Sequence, residues 1–154
     1  MSCSYRGRSV VRVPGLDTGT ATGIAGHDGC VERRIDLSNI DLDRVADEII
    51  QRRAGWTAAG LSVGPITWMD SEATWPRPVV TDRSEVERPM SLGVRIERGA
   101  AAEAELVVYA GGWADLMLYG IRDEDVLGEY VELETADEVG PLVDRAVARL
   151  LSDT

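Results

Sequence analysis

The sequence predicts an α+β fold, an antiparallel β-meander of about four to five strands with two amphipathic helices on one face. Three observations predict it. An apolar stripe at helical spacing occupies residues 42–50, and alternating segments follow at 91–97, 104–110, 113–120 and 127–134. A second helical stripe closes the chain at 139–150.

Residues 1–34 differ from the rest. They are rich in Gly, Ser and Thr, and only "VVRV" at 10–13 reads as a short strand. This segment is expected to be poorly ordered or loosely packed, leaving residues 35–154 as a single α+β domain. In "SNIDLDRVADEIIQRRAG", Leu42, Val45, Ala46, Ile49 and Ile50 fall on one helical face. Asp41 suits the N-cap, Arg52 and Arg53 the last turn, and Gly55 the stop. "GPITWMD" (64–70) reads as a short strand, and "ATWPRPVVTD" (73–82) as an extended, proline-broken connection. The four alternating strands come next, the last after the acidic loop "RDED". In "DEVGPLVDRAVARLL" (137–151), Val139, Leu142, Val143, Ala146, Val147 and Leu150 recur at helical spacing. Thr135 and Glu138 have capping-box spacing, whereas Pro141 argues for a later start of the regular helix.

The stretch "YAGGWADLMLYG" (109–120) decides which side chains share a face. An even loop would pair Ala110 with Trp113 and mix polarity on both faces. A three-residue loop, Ala110-Gly111-Gly112, pairs Tyr109 with Trp113 instead, with Gly112 in the left-handed position of a G1 bulge. The faces then separate. Leu92, Val94, Ile96, Leu106, Val108, Leu116, Leu118, Val131 and Leu133 form an aliphatic face for the helices. Val107, Tyr109, Trp113, Asp115, Met117, Tyr119, Tyr130, Glu132 and Glu134 form an aromatic and acidic one.

Composition narrows the function. A chain of 154 residues can bury a core without disulfide or metal staples. It carries no Phe, all sixteen basic side chains are Arg, and the net charge is −11. Residues 101–154 hold three Arg against thirteen acids. Clustered positive charge for phosphate contacts is missing, which disfavours nucleic acid. No long apolar run or signal-like segment suggests a membrane, so a reduced, cytoplasmic protein is expected.

Motifs for catalysis are weak. His27 is the single histidine, so any triad or multi-histidine metal site would depend on it. His27 and Cys30 have ligand-like spacing, but no second pair completes a zinc site. The glycines near residue 20 match no P-loop. One "DTG" at 17–19 matches the aspartic-peptidase triplet in a single copy, and a surface turn explains it better. "RDEDVLGE" (122–129) lacks the calcium-loop spacing. Asp115 is a candidate for a perturbed carboxylate, without a nameable partner acid or base. No catalytic residue, cofactor or metal is expected.

Around "AELVVYAGGWADLMLYG", with the acidic strand and terminal amphipathic helix that follow, residues 90–151 resemble small immunity proteins of bacterial polymorphic-toxin systems, as found in actinobacteria. The resemblance implies a small, acidic, cytoplasmic protein that neutralises a toxin domain by binding it. The residues themselves independently suggest a protein-binding face of Tyr109, Trp113, Asp115, Met117, Tyr119, Tyr130 and Glu132 for a basic partner, possibilities that include a cognate toxin. Two other outcomes stay open. The N-terminal segment or residues 56–82 would cover the face as a second layer. Alternatively, a small-ligand-binding or enzymatic pocket would lie between the face and residues 56–82, lined by Trp68, Trp75 and Trp113.

Overall fold

The computed structural model describes residues 35–121 and 124–152, without the side chains of residues 124 and 125. The segment 1–34, and with it Cys3, His27, Cys30 and the "DTG" triplet, lies outside the described residues.

Helix α1 spans Leu42–Ala58. The Asp41 side chain caps it, accepting from the Asp43 and Arg44 N–H groups at 3.0 and 3.3 Å. Leu42, Val45, Ala46, Ile49 and Trp56 are buried. Ile50 corrects the expected stripe, for it is 57% exposed. A helix turns by about 100° per residue, so a neighbour of a core position is carried off the buried stripe. The helix also passes through Gly55, because Trp56 adds another buried turn. The chain turns at Gly60, whose φ of +93° a glycine adopts without strain. Arg52 and Arg53 therefore lie inside the helix rather than in its last turn.

The strands are β1 (Ser62–Val63), β2 (Thr67–Asp70), β3 (Val79–Val80), β4 (Pro89–Arg98), β5 (Ala102–Tyr109), β6 (Trp113–Ile121) and β7 (Glu124–Glu132). They form one antiparallel sheet ordered β3-β2-β4-β5-β6-β7, with β1 also pairing along β4. Strands β1 and β3 are additions to the expected meander; two residues are too short to show a period. They belong to the 56–82 connection, which widens the sheet beyond β4. Strand β7 begins at Glu124, so the acidic run predicted as a loop is partly strand.

Helix α2, Val139–Ser152, follows a 3-10 turn at Ala136–Glu138. The Glu138 carboxylate accepts from the Thr135 and Glu134 N–H groups at 2.9 and 2.6 Å. The regular helix thus starts later than the Thr135 cap alone would place it, as Pro141 argues: Pro141 occupies the first turn of the α-helix, where its missing N–H has no intrahelical partner. Among the described residues no helix is long and apolar enough to cross a membrane.

Both helices pack on the sheet face carrying Leu92, Val94, Ile96, Leu106, Val108, Leu116 and Leu118, all buried. Their mutual seam is polar at its edge. Arg52 donates to Asp144 at 3.0 Å and to Glu48 at 2.6 Å, and Trp56 Nε1 donates to Asp144 at 3.3 Å. A Cβ on Gly140 would lie 2.4 Å from the Arg52 guanidinium carbon, so this glycine leaves room for the Arg52 side chain as it stands. Arg53 donates to the carbonyls of Val63 and Gly64, tying α1 to β1. Arg83 makes a two-pronged pair with Asp43, at 2.7 and 2.9 Å, while lying 5.2 Å from the Trp68 ring centroid. That contact ties the β3–β4 connection to the start of α1.

Leu106, 2% exposed, stands at the middle of the helix-covered face. Leu106→Ala should destabilise the fold by about 2–5 kcal/mol through lost burial and a residual cavity. Chemical denaturation checks this; an unchanged midpoint would show that β5 is not packed as described.

Candidate functional site

The turn between β5 and β6 contains three residues, and Tyr109 pairs with Trp113. Gly112 N–H donates to Tyr109 C=O at 3.0 Å, and Gly112 has a φ of +107°. The two glycines have different tasks. Gly112 supplies the left-handed backbone of the turn. Gly111 makes room, since a Cβ there would come within 2.2 Å of the Trp113 ring and 2.6 Å of Ile35. The indole thus rests over its own turn.

This register places all seven expected residues, Tyr109, Trp113, Asp115, Met117, Tyr119, Tyr130 and Glu132, on the sheet face opposite the helices. The pairs Trp113–Glu132, Asp115–Tyr130 and Tyr119–Val126 continue that face onto β7. Trp113 stacks on Tyr109 with centroids 5.0 Å apart and planes 18° from parallel. The Met117 sulfur would lie 3.2 Å from a Cβ on Gly128, so the thioether extends over the gap left by that glycine. Tyr130 is 50% exposed, and Glu132 is exposed as well. Trp113, Asp115, Met117 and Tyr119 are half-buried.

The charge on this face is lopsided. Among the described residues Glu97, Glu103, Glu105, Asp115 and Glu132 stand on it with a single guanidinium, that of Arg95. Arg95 reaches Glu103 at 4.0 Å and Glu105 at 3.9 Å, long contacts between exposed groups that contribute little. Burial, the Asp115 charge and a hydrogen bond to that carboxylate together raise the Tyr109 hydroxyl above its ordinary range.

A cleft of about 620 Å³ opens on the same face, toward β1 and β2. Thr67, Met69, Gly93, Arg95, Val107 and Tyr109 are among its lining residues. Gly93 lets Thr67 close in, since a Cβ there would lie 2.7 Å from Thr67 Oγ1, which donates to Gly93 C=O at 3.2 Å. The three tryptophans expected to line a pocket do not converge. Trp68 borders the cleft, Trp75 is 79% exposed, and Trp113 stacks on Tyr109. Sequence reasoning missed Gly93 and Thr67; a glycine inside an alternating strand was the available signal for a close approach. Among the described residues no group of three or more His, Cys, Asp or Glu side chains is placed to hold a metal ion.

Because Tyr109 has a raised folded-state pKa, its neutral form is favoured by folding. That contribution is present below the unfolded tyrosine pKa and is lost as pH rises through the folded value. In Asp115→Asn the neighbouring charge is gone, so tyrosinate absorbance should appear at lower pH than in the wild type. Superimposable ultraviolet titrations of the two proteins would contradict the Tyr109–Asp115 contact.

Compared with protein-family models, curated proteins and solved structures, the chain matches none, so the functional reading rests on this face alone.

Proposed function

We propose that the chain is a stoichiometric protein-binding protein, immunity-like, that neutralises a basic partner such as a toxin domain through its acidic and aromatic sheet face. The observation that carries this reading is the shared face itself: among the described residues the Tyr109–Trp113 stack, at its turn end, shares it with five carboxylates and one guanidinium. Aromatic rings held rigidly lose little freedom on binding, and such anchors supply much of an interface's free energy. The surrounding acids would attract a basic partner at long range and orient its approach. Among the described residues the face carries no His, Cys or Lys, so they offer neither an imidazole base nor an amine or thiol nucleophile. Binding without turnover suits this inventory better than catalysis.

The experiment compares wild type and Trp113→Ala, first as baits for a partner from native cells and then in measured association with it. Trp113→Ala should weaken the complex by about 2 kcal/mol or more, mainly through faster dissociation, while preserving the circular dichroism spectrum. Added salt should slow association. Unchanged affinity in a folded Trp113→Ala protein would remove this face as the binding site.

The cleft favours a second reading, a small-ligand-binding or enzymatic domain. Its volume of about 620 Å³ falls within the range of ligand sites. Thermal stabilisation by a small molecule, undiminished in Trp113→Ala, would support that reading over the first.

A further inference from the structure

The two margins of the sheet differ sharply. At one, β1 and β3 have two residues each, and β3 follows Pro76 and Pro78, which have no N–H to donate. At the other, β7 runs for nine residues and no described strand pairs with its outer side. One hydrogen bond fixes the phase of the ladder there. Leu133 N–H donates to Gly112 C=O at 2.9 Å, immediately before the Trp113–Glu132 pair. Hydrogen-bonded and non-hydrogen-bonded pairs alternate in an antiparallel ladder. Trp113–Glu132, Met117–Gly128 and Tyr119–Val126 therefore fall on non-hydrogen-bonded pairs. The N–H and C=O groups of Val126, Gly128 and Glu132 consequently point away from β6.

These residues also belong to the aromatic face, so the outward backbone groups and the proposed binding surface are continuous. Charge decides what fits beside them. Residues 124–134, "EDVLGEYVELE", contain five acids and no base. Arg145 meets one of these acids, Glu129, at 2.6 Å. A second copy paired along β7 would set acidic strand against acidic strand, an unfavourable cross-strand arrangement. An extended segment with Arg or Lys at alternate positions is complementary.

Resting on the basic-partner reading above, we propose that β7 accepts an extended basic segment of the partner as an added antiparallel strand. Main-chain bonds to Val126, Gly128 and Glu132 hold it, and its basic side chains meet the acids of the edge. The edge thereby sets how the partner is gripped, while the Tyr109–Trp113 stack anchors the adjoining part of it.

The test uses three synthetic peptides: one alternating Val and Arg, the same peptide with two central residues replaced by proline, and an acidic counterpart alternating Val and Glu. The basic peptide should bind and slow amide exchange at Val126, Gly128 and Glu132. The proline version should bind at least about tenfold more weakly, and the acidic one should not bind. Equal binding of the basic peptide and its proline version would overturn strand addition while leaving the basic-partner reading intact. Equal binding of the basic and acidic peptides would overturn the charge argument for both. A failure of all three to bind would overturn the edge proposal, with the Trp113→Ala measurement still judging the face. A dimer of this chain that dissociates on Val126→Pro would overturn the choice of occupant. The peptide-side prolines keep the test decisive even if Val126→Pro fails to fold.

Discussion

The parity of one turn governs the arrangement of β5, β6 and β7. Side chains alternate along a strand, so one residue more or less between Tyr109 and Trp113 would exchange the two faces of everything beyond it. The observed turn brings Leu116 and Leu118 under the helices and aligns the aromatic residues on the opposite side. Gly112 permits the left-handed backbone, and Gly111 accepts the indole lying across it. Neither glycine contributes a side chain to the face, yet the position of the face depends on both.

The helix layer depends on fewer but more distant contacts. At the seam between α1 and α2, the ends of the Arg52 and Glu48 side chains occupy the space that a side chain at Gly140 would fill. Asp144 then serves both Arg52 and Trp56. Arg83 performs a similar joining task at the other end of α1, reaching Asp43 while covering the Trp68 ring. The salt link lowers the Asp43 carboxyl pKa, chiefly through the Arg83 hydrogen bond. Its stabilising effect therefore belongs to the pH range above the ordinary carboxylate value and is lost as pH falls through the lowered one.

Much of this was legible in the sequence wherever period and local chemistry agreed. The four alternating strands, the Asp41 cap and the faces set by the glycine turn were readable because each depends on residues close along the chain. Ile50 was misplaced because apolar character does not report the angle of a position on the helix, and Gly55 because a glycine without a positive φ is no stop. Strands β1 and β3 are held by pairing with distant segments and are too short to leave a pattern. The cleft was foreseen only as a region, since Gly93 and Thr67 meet across twenty-six positions of sequence. At the face, the residue types were readable, whereas the stacking of Trp113 on Tyr109 and the influence of Asp115 on the Tyr109 hydroxyl required coordinates.

The unequal margins of the sheet also bear on valence. Growth by strand pairing needs every molecule to offer two long edges, so that each addition creates the next point of attachment. Here the β1 and β3 margin is a pair of two-residue stubs. Among the described residues, a strand laid along β7 would leave no matching edge on the far side of the sheet. For the described strands, strand pairing along β7 thus has a terminus at the opposite margin, a geometry that suits a closed complex better than a filament.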